Sequence, residues 1–525
     1  MKKVSNKFLI FLFIFFILLI SFRIDYRFKA TVECCSDDYD YFIHSSTIAL
    51  DFDLNYENQY PRAFSYNKND KNTPIGFIGS GIMSSPFLFF GNLISKMINE
   101  DLETNILNYQ LLIYSFSSIF YLLLSFILIF KTLTIFNLKI NKYLLLYFYC
   151  STGITYFAFE RFSMTHVYEV FTISLIMYLT SLFYSNLLKR TYYSSFIPLA
   201  LLLSFITRMS NYYIFLIPLI VNKLLKNSEI DFNKKILNDK FFLISSFFST
   251  IFFILLSQTL YGEVILNPQK VYGSNINLQT SLINSQNIFT SFISIFRTLF
   301  IVLFSSEFGL FWVSPILFVG LICLIFNLRK IHKIEIFLLF LCFGQNILII
   351  HIWQSTASSY GFRYLFSLIP LSILIYFLFG KNNKYLNIYL FNFSILGFLS
   401  VIFFETTLST QLSLDNQINS FGNSIRYVEP DYVFGLFSSF IELNSYLIIF
   451  TTSFLGVSIF KLILFFINIE ALNNLLFRLG LPLENSDFQK YIYTVNNLSG
   501  YKVAIILLIL MYISYLIVYK IPEST

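Results

Sequence analysis

Long apolar runs separated by short polar connections make up most of this chain. A helix rises about 1.5 Å per residue, so roughly 20 apolar residues cross the hydrocarbon core of a bilayer. The candidate runs are 8–22, 111–130, 143–159, 167–185, 241–261, 307–327, 335–353, 364–380, 385–405, 437–465 and 503–519. This pattern predicts an all-α polytopic membrane protein with about 11–13 transmembrane helices.

One further apolar stretch, 195–221, is interrupted by the polar sequence Arg208-Met209-Ser210-Asn211. Each half is about 12 residues long, roughly 18 Å as a helix, which is too short to cross a membrane alone. Two arrangements are open: one long helix that carries a buried arginine, or two shorter helices that meet at the break. The distribution of basic residues favours the pair, because both flanks then lie in the cytoplasm.

Lysine and arginine gather in the connections 131–142, 189–190, 223–240, 329–333 and 381–384. Such residues are enriched in the cytoplasmic connections of membrane proteins. We therefore expect these connections and the N-terminus in the cytoplasm. The first run has lysines before it and no small-residue cleavage site after it, which is typical of an uncleaved signal anchor. The segments expected on the outer face include 23–110, 262–306 and 406–436.

The first outer segment contains a stretch, 82–98, whose apolar residues recur with a helical period while its polar residues fall largely on the other side. This pattern predicts a helix that lies in the plane of the membrane interface and is shorter than a spanning helix. The first outer loop is therefore expected to carry interfacial helices.

Composition agrees with the membrane assignment. Of the 525 residues, 56% are hydrophobic and 12% are charged, whereas soluble proteins carry about 25% charged residues. The net charge of +7 is explained by the basic connections, so no nucleic-acid partner is expected. The sequence also has no glycine-rich phosphate loop, zinc-ligand spacing or dinucleotide fingerprint.

Four carboxylates lie close together just after the first apolar run: Glu33, Asp37, Asp38 and Asp40. Crowded carboxylates can provide a proton acceptor for catalysis. They could instead hold a divalent metal ion through oxygen ligands, or form a solvated acidic turn without a catalytic role. Acidity alone does not separate these three possibilities.

Four segments of the first outer loop are Asp37-Asp38-Tyr39-Asp40-Tyr41, Asp51-Phe52-Asp53-Leu54, Pro74-Ile75-Gly76 and Ser84-Ser85-Pro86-Phe87. Together they resemble the first loop of membrane glycosyltransferases of the GT-C fold. That group includes the protein O-mannosyltransferases and the aminoarabinose transferases that act on lipid A. Its acidic pair directly follows the first transmembrane helix.

Three later segments resemble one bacterial branch of that group, and the order and spacing agree over about 8–405. They are Phe157-Ala158-Phe159-Glu160-Arg161-Phe162-Ser163-Met164-Thr165-His166, Leu303-Phe304-Ser305-Ser306-Glu307-Phe308-Gly309-Leu310-Phe311-Trp312 and Ser359-Tyr360-Gly361-Phe362-Arg363-Tyr364. The sequence departs from the branch at Asp38, where glutamate is frequent, and after Arg208, where proline is frequent.

The resemblance implies an inverting glycosyltransferase. Its donor would be a polyprenyl-phosphate-linked sugar, and its acceptor a lipid, glycan or protein on the outer face of a bacterial inner (plasma) membrane. Asp37 and Asp38 would then be the catalytic carboxylates, and the resemblance favours Asp37 as the base. The polyprenyl tail would stay among the membrane lipids, so the enzyme needs a groove open to the bilayer.

The leaving lipid phosphate calls for fixed cations. Arg208 is the first candidate, because an arginine in an apolar run costs several kcal/mol and is a functional hypothesis by default; a snorkelling or tyrosine-paired structural role is the alternative. Arg363 follows a glycine beside tyrosines, so it either binds the phosphate or anchors a helix at the interface. His166 is assigned to the phosphate as well, although it could simply begin a helix.

Supporting roles are predicted for Glu160, Arg161 and Arg297. The first two are adjacent and could instead form a surface ion pair. Residues 1–430 are predicted to form the glycosyltransferase core, and 431–525 a C-terminal membrane extension of unknown role. The alternative functions are a flippase or transporter for lipid-linked oligosaccharides, which would need charged residues at mid-membrane, and a polysaccharide polymerase.

Overall fold

The computed structural model describes residues 36–58, 66–68, 71–99, 109–159, 161–185, 191–225, 238–271, 288–305, 309–328, 333–353, 361–394 and 397. The α-helices in this part of the chain are α1 (Ser36–Ser46), α2 (Ile78–Met97), α3 (Tyr109–Ile135), α4 (Lys142–Cys150), α5 (Ile154–Phe159), α6 (His166–Tyr184), α7 (Phe196–Thr207), α8 (Ile217–Leu224), α9 (Lys240–Tyr261), α10 (Ile288–Phe304), α11 (Leu310–Val313), α12 (Pro315–Phe326), α13 (Lys333–Trp353) and α14 (Ile369–Ile375). Residues 384–394 are also helical.

Shorter elements complete the fold. The 3-10 helices are Thr191–Ser195, Tyr212–Leu216, Pro268–Lys270 and Arg363–Leu368, and the π-helical segments are Thr47–Asp51 and Tyr376–Gly380. Two short antiparallel strands, β1 (Tyr66–Lys68) and β2 (Lys71–Thr73), pair with Asn67 opposite Asn72. The helical prediction did not include this small hairpin.

Six helices in the described ranges are long and apolar enough to cross a membrane: Ile78–Met97, Tyr109–Ile135, His166–Tyr184, Lys240–Tyr261, Lys333–Ile352 and Arg363–Gly380. The mostly helical architecture with apolar helices of spanning length is therefore confirmed for these ranges. The total of about 11–13 stays a prediction. The predicted spans 8–22, 437–465 and 503–519 and the extension 431–525 lie outside the described residues.

The predicted span 143–159 was wrong as a single helix. It divides into α4 and α5, with a turn at 151–153. The hydroxyls of Ser151 and Thr152 donate to the carbonyls of Phe148 and Tyr149, at 3.0 and 2.8 Å. These local bonds compete with the backbone hydrogen bonds of a continuous helix. Gly153, which follows, is a poor helix former.

The segment 262–306 was expected to be an outer connection, but its last part forms α10. The hydroxyl of Thr298 in this helix lies 2.7 Å from Nδ1 of His351 in α13. The helix is apolar yet short, and Arg297 divides its apolar run, which explains why the hydropathy pattern alone did not mark it.

The first loop is more helical than expected. The acidic segment begins α1 instead of forming a solvated turn. The π-helical segment Thr47–Asp51 comes next, and Phe52 after it has a left-handed φ of 62°. The helix predicted at 82–98 begins at Ile78 and runs for 20 residues. It therefore reaches spanning length, contrary to the prediction.

Glycine residues explain why α2 begins early. A Cβ on Gly79 would lie 2.5 Å from the backbone nitrogen of Thr207, and a Cβ on Gly81 would lie 2.5 Å from Cβ of His44. Glycine weakens an isolated helix, but here it permits close packing against the end of α7 and against α1. The close packing brings the first loop to the polar break.

The stretch 195–221 has the second of the two predicted arrangements. Helix α7 ends at Thr207, Arg208 is extended with φ −155° and ψ 98°, and a 3-10 turn begins at Tyr212 and leads into α8. The backbone is therefore irregular at 208–211 within an otherwise apolar part of the chain. Such a break requires polar partners from neighbouring elements.

The chain divides into two compact units. The larger contains the described residues of 35–86 and 124–398, and the smaller contains those of 87–123. In the larger unit, α6 packs against α7, α8 and the 3-10 helix Arg363–Leu368. Its first turn is buried, so polar side chains there must find partners inside the protein.

Candidate functional site

An ion pair joins the first loop to the connection before α6. Arg161 donates to Oδ2 of Asp38 from Nε, at 2.8 Å, and from Nη2. Ser163 donates to the other carboxylate oxygen of Asp38, at 3.1 Å. All three side chains are buried. Both oxygens of Asp38 are thus engaged, so this carboxylate orients α1 against the loop instead of standing open to a ligand.

A second group of buried side chains, which we name the polar cluster, comprises Thr165, His166, Glu169, Arg208 and Asn211. Nη1 of Arg208 donates to Oε1 of Glu169 at 2.9 Å, and Nδ2 of Asn211 donates to Oε2 at 3.0 Å. The Thr165 hydroxyl also donates to Oε1, at 2.8 Å. One carboxylate in the first turn of α6 therefore binds both ends of the break between α7 and α8.

His166 completes this cluster. Its Nδ1 lies 3.2 Å from Oε1 of Glu169 and 3.5 Å from Nη1 of Arg208. A carboxylate only accepts, so Nδ1 carries the proton when the ring is neutral. Among the described residues, Nε2 has no hydrogen-bond partner, although the side chain is buried. A neutral ring would accept a hydrogen bond there from a ligand hydroxyl, whereas a phosphate oxygen would require the protonated ring.

An aromatic ring connects the cluster to a second arginine. The guanidinium carbon of Arg208 lies 4.4 Å from the ring centroid of Tyr364, and that of Arg363 lies 5.7 Å from the same centroid. Such distances are typical of cation–π contacts. Two guanidinium groups thus approach one ring, and the Glu169 carboxylate binds the first of them.

Comparisons of the chain with models of known protein families, with curated proteins and with solved structures found no match. The chemistry of the site must therefore be inferred from its own side chains. The GT-C resemblance remains an expectation from the sequence.

The structure brings most of the predicted site residues into the larger unit. Asp38 and Arg161 form the first ion pair, and His166 and Arg208 belong to the polar cluster. Arg363 lies at the shared tyrosine. Arg297 is exposed on α10. The side chain of Asp37 and the whole of Glu160 lie outside the described residues.

Glu169 is the principal site residue that the sequence reasoning missed. The sequence contained a signal for it, because a carboxylate inside an apolar run such as 167–185 is a functional hypothesis by default. Arg208, the arginine inside another apolar run, was the candidate partner. Thr165 and Asn211 carried no comparable signal, since small polar residues are common at helix ends.

A metal site remains a prediction. In the described part of the chain, no three His, Cys, Asp or Glu side chains come together in a way that could hold a metal ion. Asp38 is already engaged by Arg161 and Ser163. Glu33 and the side chain of Asp37 lie outside the described residues.

A buried histidine–tyrosine pair fixes the end of α1. Nε2 of His44 lies 2.7 Å from the carbonyl of Gly76, and Nδ1 lies 2.7 Å from the Tyr56 hydroxyl. The carbonyl only accepts, so Nε2 donates and Nδ1 accepts from the tyrosine. Burial lowers the pKa of His44 to about 4, although the bond to Gly76 opposes the shift. Burial also raises the pKa of Tyr56 well above its usual value, so its hydroxyl remains a donor.

Proposed function

We propose that this chain is an inverting glycosyltransferase that moves a sugar from a polyprenyl-phosphate donor to an acceptor on the outer face of a bacterial inner membrane. The observation that supports the proposal most is the pair of arginines, Arg208 and Arg363, around Tyr364. The Asp38–Arg161 ion pair ties the acidic first loop to the connection that leads into the same cluster. An anion-binding group and a loop of carboxylates are the two parts that this reaction needs.

The base in this proposal is Asp37. In a single displacement, the acceptor oxygen attacks the anomeric carbon while the bond to the phosphate oxygen breaks, which inverts that carbon. The acceptor proton passes to the carboxylate of Asp37. Because Arg161 and Ser163 occupy both oxygens of Asp38, that residue serves to position the loop.

The leaving phosphate in this proposal binds Arg208 and Arg363. Charge develops on the phosphate oxygen as the bond breaks, and fixed guanidinium groups stabilise it without reorganisation. The Glu169 carboxylate and the Tyr364 ring hold the Arg208 side chain in place. The polar cluster is thus preorganised before any donor arrives.

The direct test is transfer of radiolabelled sugar from a polyprenyl-phosphate donor by the purified full chain in lipid nanodiscs. The matched variants are Asp37→Asn and Asp53→Asn; Asp53 is an exposed carboxylate of the same loop. We expect Asp37→Asn to lose transfer by about 10²–10⁴-fold and Asp53→Asn to keep it. Equal transfer by the two variants would remove the proposed base.

A transporter of lipid-linked sugars is the second candidate. Its support is the buried ion pair of Glu169 with Arg208, since charged residues inside apolar helices also mark transport pathways. Sealed proteoliposomes separate the two functions. A transporter would move the labelled lipid between leaflets without forming a new glycosidic product, whereas the enzyme would form the product.

A further inference from the structure

A large cavity lies away from the polar cluster and shares no residue with it. It has a volume of about 910 Å³ and lies where the connection before α4 meets the π-helical segment Tyr376–Gly380 and the helical residues 384–394. Lys381 donates from its ammonium group to the carbonyl of Lys139. This bond holds together two basic connections, 131–142 and 381–384, which the sequence places on the same side of the membrane.

The rim of the cavity is basic and rich in amides. Two lysines, Lys139 and Lys381, line it, and in the part of the chain that the structure describes no acidic residue does. The amides are Asn141, Asn387 and Asn392. The Tyr376 hydroxyl donates to Oδ1 of Asn387 at 2.8 Å, which fixes that amide. Positive charge without a compensating carboxylate in the lining suits an anionic group.

The walls of the same cavity are apolar. Leu144, Phe148 and Phe377 line it on one side, and Ile388 and Phe391 are 50% and 52% exposed at its edge. A free phosphate ion would leave these walls uncovered. A zwitterionic lipid would cover them but would carry no net charge to match the lysines. A molecule with both an anionic phosphate and a hydrocarbon chain satisfies both features.

We propose that this cavity binds an anionic glycerophospholipid, with its phosphate at Lys139 and Lys381 and an acyl chain against Phe377 and Phe391. Basic pockets between transmembrane helices on the cytoplasmic side are a recognised setting for such headgroups. The site is separate from the proposed transfer reaction, so its failure and the failure of that function are distinguishable.

Native mass spectrometry of the detergent-purified full chain tests the proposal by counting bound lipid. The probes are phosphatidylglycerol, phosphatidylcholine and inorganic phosphate. We expect phosphatidylglycerol to be retained in preference to phosphatidylcholine, and inorganic phosphate not to displace it. Lys139→Gln and Lys381→Gln should each weaken retention about fivefold, because a lysine near an anionic lipid contributes about that factor.

The matched control is Lys384→Gln, which removes the same charge from the same connection at an exposed residue outside the cavity lining. It should retain phosphatidylglycerol like the unchanged chain, and Lys381→Arg should do so as well. Lys139 is exposed, so its substitution separates lipid binding from folding. Equal losses for Lys139→Gln and Lys384→Gln would overturn the site. Equal retention of the two lipids, or displacement by inorganic phosphate, would overturn the proposed ligand.

Discussion

The carboxylate of Glu169 lies 2.9 Å from Nη1 of Arg208, and both side chains are almost completely buried. The glutamate belongs to the first turn of α6, whereas the arginine is the extended residue that ends α7. This ion pair therefore compensates a buried charge and also supports an irregular segment of backbone. Stability is therefore expected to depend on the pair, whereas the proposed phosphate binding depends on the arginine.

Glu169→Gln should destabilise the protein strongly. The amide keeps the shape of the side chain but leaves Arg208 buried without its counter-charge, and loss of one partner of a buried pair costs about 3–5 kcal/mol. Unfolding followed by circular dichroism in one detergent measures the change. The double variant Glu169→Gln with Arg208→Gln should lose less stability than the sum of the two single variants.

Glu263→Gln provides the control for that experiment. Glu263 pairs with Lys270 at 3.2 Å, but the two side chains are 34% and 51% exposed. Exposed pairs contribute about 1 kcal/mol or less, so this variant should unfold close to the unchanged chain. If the effects of Glu169→Gln and Arg208→Gln on the free energy of unfolding were additive, Glu169 and Arg208 would act independently, contrary to the structure.

Asp38→Asn should lower both stability and sugar transfer, whereas Asp37→Asn should lower transfer alone. Asp38 is the carboxylate that Arg161 and Ser163 engage, so its loss should lower both stability and transfer. Asp37 is the proposed base, so its loss should lower transfer and leave the unfolding midpoint unchanged. Both variants need the unfolding measurement and the labelled-sugar assay. A stable, inactive Asp38→Asn protein would reverse the assignment of the two roles.

The break at 208–211 could be predicted because each apolar half of 195–221 is too short to cross a membrane alone and the basic residues favour both flanks in the cytoplasm. Glu169 was equally visible in principle, yet the hydropathy of the surrounding run concealed it. Its pairing with Arg208 could not be predicted, since the two residues meet only when α6 packs beside α7. The presence of a second buried charge also strengthens the transporter alternative relative to what the sequence alone suggested.

Local rules explain two errors in the first loop. Asp37 and Asp38 follow Ser36 at the start of α1, and acidic residues are favoured in the first turn of a helix. The predicted helix began at 82, after Gly79 and Gly81, whereas in the structure these glycines lie inside α2 and pack closely against Thr207 and His44. Neither close approach is encoded in a local pattern, so the beginning of α2 could not be placed from the sequence.

Stability should fall when the pH is lowered from about 6.5 to about 4, in part because of His44. The folded protein holds this ring neutral, with its pKa at about 4, whereas the unfolded chain binds a proton below the usual value near 6.5. The unfolded state therefore binds more protons within this window, and stability rises with pH across it and levels off above it. One pKa unit corresponds to about 1.4 kcal/mol, so the contribution is roughly 3 kcal/mol.

His44→Gln isolates this contribution from that of the carboxylates, which titrate in the same window in both proteins. The glutamine can still exchange hydrogen bonds with Gly76 and Tyr56 but does not gain a proton. Unfolding curves at several pH values between 4 and 7 should show a smaller slope for the variant. Parallel curves for the two proteins would mean that His44 does not control this dependence.

The proposed topology predicts opposite labelling of two introduced cysteines. Glu57 lies in the first loop and Asn382 in the basic connection beside the lipid cavity, and both are exposed. Glu57→Cys should react with an impermeant thiol reagent added to intact cells, in a background that lacks Cys34 and Cys35. Asn382→Cys should react only after permeabilisation, because lysine-rich connections stay in the cytoplasm. Labelling of Asn382→Cys in intact cells would put the lysine-lined cavity on the outer face, and equal labelling at both positions would contradict the assignment of the acidic loop and the basic connection to opposite sides.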